Sequence, residues 1–151
     1  MLGISWPTYG FYFLIFIAFT PLIHLIESNK NENIFKLTFF SFVTFVVWNI
    51  ITTHWLYYAT LTGMLFAIIV NSILMSLIVL ASLSIWKKLS YKLSIIFFIS
   101  LWICFEKFHL NWDLSWPWLN LGNVFSENIK IIQWYEYTGV FGGTSWVLIS
   151  N

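Results

Sequence analysis

The side chains able to do chemistry are few, and most lie in the second half of the chain. Cys104 is the one thiol. It sits between Ile103 and Phe105 in an apolar run, where a thiolate is strongly disfavoured. A reactive cysteine needs an electropositive, partly exposed setting. Cys104 is therefore expected to be a packed apolar residue, and one thiol excludes an intrachain disulfide or a thiolate metal cluster. The three histidines are His24, His54 and His109. His109 and Asp113 have the spacing of a ligand pair, but a closed metal site needs three or four ligands. No metal and no cofactor are expected. Glu106 beside Lys107 reads either as an interfacial carboxylate facing headgroups or as a functional residue, because ionisable groups near membrane depth are often functional.

Glu106 belongs to a stretch, 102–143, unlike the rest of the chain. It holds Trp116-Pro117-Trp118-Leu119-Asn120-Leu121-Gly122-Asn123, then Gln133-Trp134, Tyr137-Thr138-Gly139 and Gly142-Gly143. Aromatics, amides, carboxylates, Pro and Gly alternate here, and simple anchoring needs no such variety. Pro117 fixes its own φ and pushes Trp116 toward an extended conformation. Asn111, Asp113, Asn120 and Asn123 are expected to hydrogen-bond the loop to itself.

The elements that position these residues follow from composition. Of the 151 residues, 60% are hydrophobic, 22% aromatic and 9% charged, where a soluble domain carries roughly a quarter charged residues. Mean hydropathy is +0.82. A disordered chain is excluded by the apolar and aromatic load, and a soluble globule is disfavoured. All seven basic residues are Lys, so no phosphate-reading arginine patch exists and nucleic acid is not a partner. What remains is an all-α, polytopic transmembrane helix bundle forming one domain over 1–151.

Charge-free runs place the spans. The run 37–86 has 50 residues without Asp, Glu, Lys or Arg, while one spanning helix needs about 20. It is read as two helices joined at Ala59-Thr60-Leu61-Thr62-Gly63. Four complete spans are expected, at 9–26, 35–58, 63–85 and 90–108, with a partial fifth at 137–151. An outward-facing Trp/Pro-rich loop covers 109–136. Pro21 is expected to kink the first span, and the loop 27–33 to be solvated. The small residues of the third span let helices approach closely in lipid. Asn49 and Asn71 lie at similar depth in the second and third spans and are expected to face each other or a shared cavity. His24 and His54 fall in opposite leaflets and cannot share a metal.

Orientation follows from lysines. Lys30, Lys36, Lys87, Lys88 and Lys92 fall on one side, Lys107 and Lys130 on the other. The Lys-richer side belongs in the cytoplasm, which turns 109–136 outward. Trp6, Trp55, Trp86, Trp112, Trp116, Trp118 and Trp134 fall at the expected interfaces, where indole rings prefer to lie.

The ordered set Leu101-Trp102, Phe105-Glu106, Trp116-Pro117-Trp118-Leu119-Asn120-Leu121-Gly122, Ile132-Gln133-Trp134, Tyr137-Thr138-Gly139 and Gly142-Gly143 resembles the membrane domain of bacterial apolipoprotein N-acyltransferases. Gly3-Ile4-Ser5-Trp6-Pro7 and Trp48, Trp55 and Gly63 extend the resemblance through most of the chain. The family transfers an acyl chain from a membrane phospholipid to the N-terminal amine of a diacylglyceryl-cysteine on lipoproteins. It works through a thioester on a Cys assisted by Glu and Lys, which is covalent catalysis. Those residues belong to a nitrilase-like domain that the 151 residues do not contain.

The resemblance thus implies a bacterial inner-membrane, multi-pass protein with loop 109–136 in the periplasm. This chain would serve as a non-catalytic scaffold and lipid-access part. Its implied partners are membrane phospholipid, and a lipoprotein substrate or a separate nitrilase-like chain. No catalytic residue is expected. Glu106, Trp116, Pro117, Trp118 and Asn123 become candidates for shaping the loop and the lipid approach, with Glu106 as a brace rather than an acid or base. The alternative is an independent small membrane scaffold or interaction protein, a relic of the same family. A transporter is disfavoured, since no Asp or Glu lies at the centre of an expected span.

Overall fold

The computed structural model describes residues 1–28 and 33–151. Among them every regular element is helical. Five α-helices occur: α1 Thr20–Ser28, α2 Ile34–Thr53, α3 Leu61–Trp86, α4 Tyr91–His109 and α5 Tyr135–Ser150. Short 3-10 segments supplement them, at Tyr12–Ile17, His54–Tyr58, Pro117–Leu119 and Leu121–Phe125 among others. Ile34–Tyr58 and Leu61–Trp86, with 25 and 26 residues, are long and apolar enough to cross a membrane. At about 1.5 Å per residue each exceeds a hydrocarbon core of roughly 30 Å. The chain divides into two compact units, Pro21–Ser94 and the combination of Met1–Thr20 with Ile95–Asn151.

In the first of these, α2 and α3 form a hairpin whose ends are written in the sequence. The Asn33 side chain accepts the Phe35 amide at 2.9 Å and starts α2. Thr60 caps α3 by accepting from the Gly63 amide. These side-chain oxygens satisfy amides that the first helical turn leaves without partners. The hairpin interior is polar at its centre. Asn71 Nδ2 donates to Asn49 Oδ1 at 2.9 Å, and Asn49 Nδ2 donates to the Phe45 carbonyl at 2.8 Å and to Ser72 Oγ at 3.3 Å. The two amides face each other, as their depth predicts. Ala67, Ser72, Ser76 and Ser82 share the buried side of α3, whereas Leu61, Leu65, Phe66, Ile69, Ile73 and Leu77 are exposed. On α2 the exposed side holds Phe35, Phe39, Phe40, Val43, Val47 and Ile50. The hairpin is polar within and apolar without, the inverse of a water-soluble domain.

Trp86, expected as an interfacial anchor, is instead buried, and its Nε1 donates to Glu27 Oε2 at 2.5 Å. Glu27 is therefore engaged rather than freely solvated. Asn29 to Glu32, the middle of that expected loop, and with them Lys30, lie outside the described residues.

The second unit is aromatic at its core. Phe19 meets Trp102 edge to face at 5.1 Å, and Phe125 stacks on Trp146 at 5.1 Å. Trp6, another expected anchor, is buried. The apolar segment expected as one kinked helix at 9–26 is discontinuous. A 3-10 segment ends at Ile17, Ala18 and Phe19 follow, and α1 starts at Thr20. Pro21 occupies the first turn of α1, where its missing N–H costs nothing. The proline starts a helix rather than kinking one.

Candidate functional site

The loop after α4 is held from below by one carboxyl group. Trp102 and Glu106, four residues apart, lie on the same face of α4, the face turned inward. Glu106 is 1% exposed. Its Oε1 accepts the Leu121 amide at 2.8 Å and Trp102 Nε1 at 3.2 Å, and its Oε2 accepts the Thr144 hydroxyl at 2.6 Å. Thr144 Oγ1 in turn accepts the Gly122 amide at 3.1 Å. The Tyr135 hydroxyl donates to the Gly122 carbonyl at 2.9 Å. Both backbone groups of Gly122 are thereby captured from α5, while α4 captures its neighbour Leu121.

Only glycine fits between these partners. A Cβ on Gly122 would collide with the Val140 carbonyl oxygen, and a Cβ on Gly143 would collide with the Tyr135 hydroxyl. The start of α5 also bends around Gly139, whose φ is +64° and ψ −171°. This region is essentially reserved for glycine. The Trp-Pro-Trp segment is ordered from within the loop. Pro117 opens a 3-10 turn, and Asn123 Nδ2 donates to the Pro117 carbonyl at 2.8 Å. Trp116, Pro117 and Trp118 remain half-buried. Trp116 meets the His109 ring edge to face at 6.0 Å.

The candidate residues thus fall into one cluster with differing roles. Glu106 grips the loop through Leu121 directly and through Thr144. Asn123 fastens the loop to itself. The Asn120 main-chain N–H donates to the Pro117 carbonyl at 3.1 Å. Asn111, expected to join these, instead donates to the Lys107 carbonyl at 2.7 Å and closes the end of α4. Asp113 is exposed. His109 is buried between Phe105, Trp112 and Trp116. Cys104 corrects an expectation: it is exposed on α4 rather than packed. Among the described residues no group of three or more His, Cys, Asp or Glu side chains is placed to hold a metal ion.

Sequence reasoning missed Thr144 and Tyr135. The available signal was Glu106 itself, because a buried carboxyl group demands donors from a facing element, and Thr144 follows the Gly142-Gly143 pair that allows close approach.

Chemically, the cluster is closed. Both oxygens of Glu106 are occupied by three donors, and the side chain has almost no access to a substrate. Fold and site together define an all-helical domain with an apolar exterior and a tethered aromatic loop. The chain belongs to the family described as apolipoprotein N-acyltransferase N-terminal domain, whose model matches residues 1–151. It is 26% identical over 152 residues to the apolipoprotein N-acyltransferase of Chlorobaculum tepidum, covering 100% of this chain. The chain spans 28% of the length of that curated relative. No solved structure matches it.

Proposed function

We propose that this chain is the N-terminal membrane part of an apolipoprotein N-acyltransferase, set in the bacterial inner membrane with the Trp-Pro-Trp loop on the periplasmic side. The observation that carries this reading is the inverted polarity of the α2–α3 hairpin. Its amides and hydroxyls turn inward, and its Phe, Leu, Ile and Val side chains turn outward. In water such a surface exceeds what a monomer tolerates; in lipid it is the natural solvent-facing side. Tyr12–Ser28 and α4 supply two further crossings in this reading, and α5 a fifth, partial one. The lysine asymmetry sets the orientation.

The role within the acyltransferase is that of scaffold and lipid access. Glu106, through Leu121 and Thr144, fixes the height of the loop, and Trp116, Pro117 and Trp118 present a rigid aromatic edge to the outer leaflet. Phospholipid is the acyl donor and a diacylglyceryl-cysteine amine the acceptor. The nucleophile belongs to a nitrilase-like part rather than to Cys104, which lies exposed on the apolar helix α4.

Complementation tests this. In cells depleted of lipoprotein N-acylation, the chain alone is expected not to restore triacylated lipoprotein, and co-expression with a nitrilase-like catalytic part is expected to restore it. Restoration by the chain alone refutes the non-catalytic role. Failure of the pair, with both parts present in the membrane, refutes the scaffold role.

A further inference from the structure

We propose that Asn151 is the residue that registers the discontinuous first segment against α5, by replacing main-chain hydrogen bonds which that segment lacks. The first amides of any α-helix have no partner within it. At the start of α1 the Phe19 and Thr20 amides are of this kind, and the Phe19 side chain is completely buried. A buried amide without a partner is costly wherever water is excluded. No side chain of the segment itself caps this end. The Asn151 side chain does so from α5. Its Oδ1 accepts the Phe19 amide at 2.8 Å and the Thr20 amide at 3.2 Å. Its Nδ2 donates to the Ile15 carbonyl, before the break, and to the Val147 carbonyl in α5, both at 2.8 Å.

One amide group therefore bridges both sides of the discontinuity and ties it to a second helix. The chemistry singles out an amide. A hydroxyl or carboxylate can accept from the helix start, but a carboxylate cannot also donate to Ile15 and Val147. The same register is fixed about one turn away by aromatic packing. Phe16 lies 4.8 Å from Trp146 and 5.6 Å from Phe125. Phe125 ends the 3-10 segment that begins beside Gly122, so Asn151 places the first segment directly under the loop. What it positions rests on the proposed function; the hydrogen bonds themselves do not.

The test is amide exchange, read residue by residue on the whole chain in phospholipid nanodiscs. Asn151→Ala is expected to speed exchange of the Phe19 and Thr20 amides about tenfold or more while leaving α2 and α3 amides unchanged. Unchanged exchange at those two positions overturns the proposal, and so does an equal acceleration across α3. Asn151→Asp retains the acceptor, and a carboxylate is favoured at a helix start, so Phe19 and Thr20 are expected to stay protected. Exchange in N151D as fast as in N151A overturns the proposal. Should N151A not accumulate, N151D decides it alone: protected Phe19 and Thr20 amides together with a lowered melting temperature, from the lost donors to Ile15 and Val147, support the proposal, and free exchange or an unchanged melting temperature refutes it. The readout involves no acylation, so failure of the complementation experiment and failure of this one are distinguishable.

Discussion

Replacing Glu106 dissects the clasp beneath the loop. In Glu106→Ala the Leu121 amide and Trp102 Nε1 lose their acceptor while remaining buried, and the Thr144 hydroxyl is free to rotate. One buried donor left without an acceptor, at about 1–3 kcal/mol, and one lost hydrogen bond, at about 0.5–1.5 kcal/mol, give a loss of roughly 1.5–4.5 kcal/mol. Membrane-embedded hydrogen bonds average lower, near 0.6 kcal/mol, which places the expectation toward the lower end, about 2–3 kcal/mol. Glu106→Gln keeps an oxygen for Leu121 and Trp102 and presents an NH₂ to Thr144 Oγ1, which can accept it. That exchange costs about 1 kcal/mol, the net value of a single hydrogen bond. Reversible unfolding in mixed micelles measures both variants, and exchange of the Leu121 amide localises the effect. A ranking with Gln as damaging as Ala, or an Ala variant within about 0.5 kcal/mol of the parent, refutes the view that Glu106 acts through these three donors.

Other expectations follow from single positions. Gly139→Ala meets no atom within 4 Å yet must hold φ +64°, so its cost is backbone strain of about 1–3 kcal/mol. Gly122→Ala meets the Val140 carbonyl head on, and limited proteolysis is expected to cut the loop faster in this variant than in Gly139→Ala; equal rates contradict the close approach. Asn71→Leu strips Asn49 Oδ1 of its donor and lowers the melting temperature of the hairpin by an amount matching about 1 kcal/mol; unchanged insertion and unchanged melting count against the pairing. Cys104, exposed on α4, is expected to resist a charged maleimide in intact membranes and to react after unfolding in SDS. Rapid labelling in the membrane removes α4 from the lipid.

Much of the helical layout was legible because charge-free apolar runs and the break at Ala59-Thr60-Leu61-Thr62-Gly63 write it locally. The Asn49–Asn71 pair was legible because a tight hairpin equates depths. Other features were not, for identifiable reasons. The break near Phe19 is stabilised by a side chain more than a hundred residues away in sequence, which no local pattern reports. Thr144 and Tyr135 act on Gly122 through a close approach that becomes visible only once α5 is placed. Cys104 went astray because apolar neighbours say nothing about azimuth. At about 100° per residue, Cys104 lies roughly 200° from both Trp102 and Glu106, so it turns away from the face they bury. Trp86 and Trp6 were assigned by position along the chain, yet indole rings serve equally well as core.

The amide pair of the α2–α3 hairpin bears on biogenesis. A lone helix carrying Asn49 would keep its Nδ2 bond to the Phe45 carbonyl but meet lipid with an unpaired side-chain oxygen, and a lone helix carrying Asn71 would lose the acceptor of its Nδ2. In the hairpin the two carboxamides are buried against each other, and the short turn at Thr60 keeps the two helices adjacent from the start. The hairpin is thereby suited to partition in a single step, with the polar pair as the feature that makes sequential, one-helix-at-a-time release the slower route.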